Sequence, residues 1–277
     1  MKKFTSYPYI IWSVIFIIFP LLLVLLYGIT IPSKTSFFGF KLSIENFQRF
    51  CEPIYLRVLW KSVWLAILST LICLIIGYPF SMILAKSSLK RRNKFVLLIV
   101  IPMWMNFLLR TYSWMTILGK NGIINNFLRI IGLPALDLLY NDGAVILGMV
   151  YNFLPFMILP IYTVLTKMNR NILEVAEDLG ANRFVIFSKI VFPLSLPGVI
   201  SGITMVFMPA VSTFVISKLL GGGQYWLIGN LVEEQFLRIN DWHFGSAIAL
   251  ILMIVILFAM AIMNKYEDKE DRGVGLW

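Results

Sequence analysis

Residues 169–197 read NRNILEVAEDLGANRFVIFSKIVFPLSLP, a polar stretch between two hydrophobic runs that are each long enough to cross a membrane. Asn171 is a good N-cap residue, and Glu174, three positions later, can complete a capping box. Gly180 suits the left-handed conformation that ends many helices. The helix predicted between these signals has one apolar face, made of Ile172, Val175, Ala176 and Leu179.

The second half of the stretch predicts another helix. Asn182 can cap its start, and Pro193 is expected to end it because proline lacks an N–H group and clashes with the preceding turn. Two capped helices in succession indicate a helical hairpin. A hairpin of this kind beside a membrane bundle is suited to insertion into another protein.

Composition places the hairpin in a membrane protein. The chain has 277 residues, of which 59% are hydrophobic, and its mean hydropathy is +0.84. Soluble domains contain only about 45–50% apolar residues. We therefore predict an all-α integral membrane protein with six helical spans, the hairpin lying between the fourth and the fifth. The predicted spans are residues 9–29, 62–85, 95–118, 144–165, 194–216 and 246–263.

A basic loop after the second predicted span sets the orientation. It contains no acidic residue and the following basic ones: Lys86, Lys90, Arg91, Arg92 and Lys94. The positive-inside rule places this loop in the cytoplasm, and six spans then place both termini and the hairpin on the same side. Since this topology accounts for the net charge of +10, no nucleic-acid partner is expected.

The hairpin resembles the coupling loop of ABC importer permeases. The pattern of that family is E-A-A, three residues, G, nine residues, and I-x-L-P. This chain matches it at Glu174, Ala176, Gly180, Ile190 and Pro193. Val175 and Phe192 replace an alanine and a leucine and keep their apolar character. The resemblance implies that the hairpin transmits force from a pair of cytoplasmic ATPase subunits.

Residues 102–114, PMWMNFLLRTYSW, narrow the resemblance. They are similar to the P-x-W…R-T-Y-x-W pattern of spermidine and putrescine permeases, and similar segments recur between residues 60 and 263. The chain most resembles the B-type permeases of polyamine importers. This implies a homologous C-type permease and an external polyamine-binding protein as partners in the bacterial cytoplasmic membrane. Permeases for iron, sulfate and other small solutes share the architecture and are the alternative.

Aromatic residues and carboxylates are the candidates for a polyamine path, because both attract a flexible polycation. The candidates are Trp104, Tyr112, Tyr151, Glu233 and Asp241. Aromatic residues are also common anchors at membrane interfaces, and loop carboxylates are commonly solvated, so both interpretations stay open. Arg110 would repel a cation, and we expect it to have a structural role, paired with Asp137, Asp142 or a carbonyl group.

Signals for enzymatic chemistry are missing from the sequence. The glycines at 221–223 are not followed by the lysine and hydroxyl residue of a phosphate loop. With one histidine and two cysteines, no metal site is expected, and no catalytic residue is predicted. We expect no enzyme and no bound cofactor, with ATP used by a partner subunit. A secondary transporter is the less favoured hypothesis, because the predicted spans hold almost no Asp, Glu or His for ion coupling.

The predicted spans and the charged C-terminal segment divide the chain into three regions. Residues 1–57 are expected to form the N-terminal transmembrane helix and an outer loop. Residues 58–264 are expected to form the transmembrane domain of an ABC importer, and residues 265–277 a mobile cytoplasmic tail.

Overall fold

The computed structural model describes residues 11–32, 40–223 and 225–271. The chain forms two compact units. Unit 1 comprises Met1–Lys61 and Trp226–Leu257, and unit 2 comprises Ser62–Tyr225 and Phe258–Trp277. The helices are α1 Ile11–Gly28, α2 Glu45–Phe50, α3 Pro53–Lys86, α4 Leu89–Trp104, α5 Phe107–Leu118, α6 Ile123–Ile130, α7 Asp142–Lys167, α8 Arg170–Asp178, α9 Arg183–Ser212, α10 Val215–Leu220, α11 Ile228–Glu234 and α12 Trp242–Asp271. Two short strands, β1 Thr30–Pro32 and β2 Phe40–Leu42, form an antiparallel ribbon.

Membrane-length helices dominate the described residues. α1, α3, α7, α9 and α12 are each long and apolar enough to cross a membrane. α4 and the segment Phe107–Ile130 pass the same test together, although they are bent by 95°. Counting this bent pair as one span gives six spans, which confirms the predicted all-α membrane fold.

The predicted third span, residues 95–118, is broken rather than straight. α4 ends at Trp104, shortly after Pro102 has removed one N–H donor from the helix. Asn106 then starts α5, and its side chain accepts hydrogen bonds of 2.8 and 3.3 Å from the N–H groups two and three positions later. The hydropathy stays high through the break, so the apolar run alone concealed it.

The prediction that Pro193 ends the second helix of the hairpin is wrong. α9 continues without interruption through this position. A π-helical turn, Phe187–Val191, lies just before Pro193, which occupies the first turn of the α-helical segment that follows. The wider turn accommodates the missing N–H group and the proline ring. The fifth span, predicted to begin at residue 194, is therefore continuous with the hairpin.

Unit 2 is centred on the close contact between α7 and α9. Gly198 and Gly202 face α7 with little space to spare. A Cβ added at Gly198 would lie 3.0 Å from the carbonyl oxygen of Pro160, and one added at Gly202 would lie 3.2 Å from that of Met157. This G-x-x-x-G spacing lets the two backbones approach each other closely.

Buried side-chain hydrogen bonds join α3 to this helix pair. The hydroxyl oxygens of Tyr78 and Ser195 lie 2.8 Å apart, and the hydroxyl of Ser81 donates to the carbonyl of Ile158 over 3.0 Å. These bonds satisfy polar groups that lipid cannot satisfy. α3, α7 and α9 thus form one bundle.

Polar contacts hold the end of α1 within unit 1. Nδ1 of His243, on α12, lies 2.7 Å from the carbonyl oxygen of Thr30 and 3.1 Å from that of Tyr27. Because carbonyl oxygens only accept hydrogen bonds, Nδ1 carries the proton. The side chain of Asn46 donates to the same Thr30 carbonyl over 3.0 Å. The ribbon and α2 are thereby tied to α1 and α12.

Both ends of the chain extend past the described residues. α12 continues to Asp271, so residues 265–271 of the predicted tail are helical. Residues 272–277, and the beginning of the predicted span 9–29, lie outside the part of the chain that the structure describes.

Candidate coupling site and substrate path

The predicted hairpin is formed by α8 and the start of α9. α8 begins two positions earlier than predicted, because Asn169 rather than Asn171 is the N-cap. The side chain of Asn169 accepts the N–H group of Asn171 over 3.0 Å. Asn169 has the extended backbone that an N-cap needs, whereas Asn171 is already helical. The predicted capping box with Glu174 is therefore not formed.

Gly180 ends α8 as predicted. Its φ is +81°, its N–H group donates to the carbonyl of Glu177 over 2.9 Å, and the N–H group of Ala181 donates to the carbonyl of Ala176 over 3.0 Å. These two bonds form a Schellman motif. Asn182 then caps α9, accepting a 2.9 Å hydrogen bond from the N–H group three residues later. The turn between α8 and α9, which we call the elbow, is thus fixed by two backbone hydrogen bonds and one side-chain cap.

Apolar side chains are exposed on the outer side of this hairpin. We call this surface the coupling face, and it consists of Ile172, Val175, Leu179 and Phe184. Leu179 is 83% exposed and Phe184 is 76% exposed, whereas Ala176, predicted on the same side, is only 9% exposed. Exposed apolar side chains grouped in this way are typical of surfaces that bind another protein or a membrane.

The other side of α8 lines a cavity of about 280 Å³ within unit 2. Glu174 lies in its wall, while Ile190 and Pro193 are half-buried in and after the π-helical turn. The residues predicted for coupling therefore shape and support the hairpin, whereas the coupling face supplies its exposed surface. Phe184 was not among the residues predicted for coupling, although a large aromatic residue in a polar segment was a visible signal of an exposed apolar side chain.

The aromatic residues predicted for the substrate path are all accessible in unit 2. Trp104 lies at the break between α4 and α5 and is 83% exposed, and Tyr112 on α5 is also exposed. Tyr151 on α7 is partly exposed, and its ring centroid lies 5.3 Å from that of Trp114 in an edge-to-face arrangement. α5 and α7 thus bring Tyr151 and Trp114 together at one surface.

The carboxylates predicted for the path lie in unit 1. Asp241 forms a 2.9 Å ion pair with Arg49 and accepts the N–H group of Phe244 over 3.0 Å at the start of α12. The guanidinium of Arg49 also lies 4.0 Å from the ring centroid of Phe244. Glu233 is half-buried on α11. Asp241 therefore has a structural role whether or not it also contacts substrate.

Arg110 is buried in α5 with 9% of its surface exposed. Its guanidinium lies 6.0 Å from the ring centroid of Phe107, and its Nε has no hydrogen-bond partner among the described residues. Asp137, a predicted partner, instead forms a 3.4 Å ion pair with Lys120. The inward position agrees with a structural role, but the ion pair with Asp137 is not formed.

Comparison with known proteins identifies the family. The family described as "Binding-protein-dependent transport system inner membrane component" matches residues 77–270. The spermidine/putrescine transport system permease protein PotB of Haemophilus influenzae is 38% identical over 264 residues, which cover 94% of this chain and 92% of that protein. PotB of Escherichia coli is also 38% identical, over 88% of this chain and 90% of that protein.

A solved structure agrees with the fold. One chain in the crystal structure of the bacterial alginate ABC transporter, in complex with its alginate pentasaccharide-bound periplasmic protein, matches with a TM-score of 0.80. The match covers 95% of this chain and 92% of that one at 17% identity, and it supports the fold alone. Together with the sequence matches, it shows that this multi-pass membrane chain belongs to the family of binding-protein-dependent transport system inner membrane components.

Proposed function

We propose that the chain is the permease subunit of an ABC importer that moves spermidine and putrescine across the bacterial cytoplasmic membrane. The observation that carries the substrate class is the 38% identity to spermidine/putrescine permeases over nearly the whole chain. Transport proceeds by alternating access, in which the spans switch the cavity from the outer to the inner side. Because the chain has no phosphate loop, separate subunits bind and hydrolyse ATP.

The position of the coupling face supports the proposal that an ATPase subunit binds this chain. It lies on a hairpin whose other side shares a cavity with Lys86 and Arg92 of the basic loop, so hairpin and loop are at the same end of unit 2. The positive-inside rule assigns that loop, and therefore the hairpin and both termini, to the cytoplasm. The coupling face is then presented to one of two ATPase subunits, while the second ATPase subunit serves the partner permease.

The exposure of the aromatic residues predicted for the path supports the proposal of a second permease subunit. Trp104, Tyr112 and Tyr151 are exposed in this single chain, as expected of side chains that line a path completed by another subunit. That subunit is the homologous C-type permease, and an external polyamine-binding protein delivers the substrate. Residues 58–264 form the transmembrane domain that contacts these partners, and residues 1–57 and 265–277 flank it.

Uptake measurements test this function. A strain lacking the chain is expected to lose ATP-dependent uptake of radiolabelled spermidine and putrescine, and to regain it when the chain is restored. Loss of iron or sulfate uptake with unchanged polyamine uptake would favour the alternative substrates. Polyamine uptake that persists without the ATPase would favour a secondary transporter.

A matched pair of variants tests whether Asp241 contacts substrate. If it does, Asp241→Asn is expected to raise the KM for spermidine about fivefold through loss of one charged contact, while Arg49→Gln leaves the KM within about twofold. Both variants remove the same ion pair, so both are expected to lower the unfolding temperature. Equal KM values in the two variants would restrict Asp241 to its structural role.

A further inference from the structure

The basic segment predicted as a loop is largely helical, with Lys86 at the end of α3 and the others in the first turns of α4, and Arg92 differs from the rest of this segment. The side chain of Arg92 is half-buried. The other basic residues of the segment are exposed: Lys86, Lys90, Arg91 and Lys94. Its Nε is buried and has no hydrogen-bond partner in the described part of the chain. Since arginine stays protonated in proteins, this position holds a partly desolvated positive charge with an unsatisfied donor. A buried donor without a partner is costly, and a carboxylate is the acceptor that would also balance the charge of this side chain.

Two acidic residues of α8 line the same cavity as Arg92. Glu174 and Glu177 are three residues apart on one helix and therefore share a face. Both line the 280 Å³ cavity that Arg92 and Lys86 line from the side of α3 and α4. No ion pair joins these opposite charges among the described residues. The cavity thus separates two basic residues, on α3 and α4, from two acidic residues on α8.

The remaining walls of the cavity would strengthen an attraction between these charges if α8 moved closer to α4. They are mostly apolar, and they include Met82, Leu165, Leu173 and Val191. Opposite charges attract more strongly beside such surfaces than in bulk water. A small movement of α8 towards the loop would therefore be stabilised by contact between Arg92 and the two carboxylates.

α3 is well placed to pass such a movement on. Tyr78 and Ser81, near the end of α3 that leads into the loop, are hydrogen-bonded to α9 and α7. We propose that Arg92 is a positioning residue that transmits the movement of α8 to α3 and α4, by engaging Glu177 and Glu174 when the hairpin moves. This inference rests on the proposed function, because an ATPase must move the hairpin.

Charge reversal in the assembled transporter tests the proposal. Arg92→Glu is expected to lower spermidine uptake about tenfold, while the ATPase still co-purifies and still hydrolyses ATP. Glu177→Arg is expected to do the same, and it is preferred to Glu174 because it lies outside the family pattern. The double variant R92E/E177R restores the opposite charges and is expected to recover uptake to within about threefold of the wild type.

The matched control is Lys90→Glu, which makes the same charge change on an exposed residue of the same helix. Uptake by this variant is expected to stay within about twofold of the wild type. Equal uptake by R92E and K90E would overturn the proposal, as would a double variant no better than the single ones. Should R92E fail to reach the membrane, R92Q is compared with K90Q in the same assays, and equal uptake by these two variants would overturn the proposal.

The same experiment separates this proposal from the function on which it rests. A wild-type transporter without ATP-dependent polyamine uptake would refute the proposed function. A wild-type transporter that is active, with R92E equally active, would refute only the role of Arg92.

Discussion

Polyamine uptake by a transporter carrying Gly180→Val is expected to fall about tenfold or more, although the chain still inserts into the membrane. Gly180 has a φ of +81°, which costs an ordinary residue about 1–2 kcal/mol and a β-branched one more. An added Cβ would meet nothing within 4 Å, so crowding inside the chain is not the cause. Valine instead shifts the backbone and breaks the two hydrogen bonds that end α8. Uptake and co-purification of the ATPase are measured together.

Gly132 offers a matched control for this prediction. It ends α6 with a φ of +79°, the same backbone hydrogen-bond pattern, and no atom within 4 Å of an added Cβ. It lies between the predicted third and fourth spans, which the proposed topology places on the side of the membrane opposite the ATPase. Gly132→Val therefore imposes the same local strain, yet uptake is expected to stay within about threefold of the wild type.

A second control keeps the left-handed backbone at the elbow itself. Gly180→Asn is expected to retain most uptake, because asparagine tolerates this conformation better than other side chains. Normal uptake in Gly180→Val would contradict the role of the elbow in coupling. An equal loss in Gly132→Val would indicate general misfolding instead.

The sequence predicted those features of the hairpin that depend on a single residue and its own backbone conformation. Gly180 and Asn182 act within a few positions of themselves, and both were assigned correctly. The start of α8 was misplaced because Asn169 and Asn171 are equally good N-cap residues by type. Which of them caps depends on where α7 ends, at Lys167, and the residue types alone do not give that point.

Features that depend on backbone geometry inside an apolar run escaped prediction. The break before Asn106 and the π-helical turn before Pro193 leave the hydropathy unchanged, so the spans were found but not their shapes. Counting charges located the basic loop, yet only the fold shows that Arg92 turns inward. The small residues Gly198 and Gly202, by contrast, could have been recognised from their spacing alone.

The largest effect on stability is expected from filling the contact between α7 and α9. In the double variant Gly198→Leu/Gly202→Leu, the added side chains meet the backbone of Pro160 and Met157, which cannot move aside as a side chain can. Overpacking costs about 1–3 kcal/mol per site, and the pair together about 2–6 kcal/mol. That is a large part of the 5–15 kcal/mol or so by which proteins are usually stable. Thermal unfolding in detergent and the yield of folded protein are the measurements.

Two further variants test whether any loss of stability comes from the close packing of α7 against α9. Gly198→Ala adds one methyl group at 3.0 Å from a carbonyl oxygen, so its unfolding temperature is expected to lie between those of the wild type and the double variant. Met205→Leu changes a residue of the same helix that is 52% exposed and is expected to leave the unfolding temperature unchanged. A double variant as stable as the wild type would mean that α7 and α9 separate at little cost. The hairpin and α9 could then move without moving α7. In that case, the contact at Gly198 and Gly202 would not transmit movement of the hairpin to the other spans of unit 2.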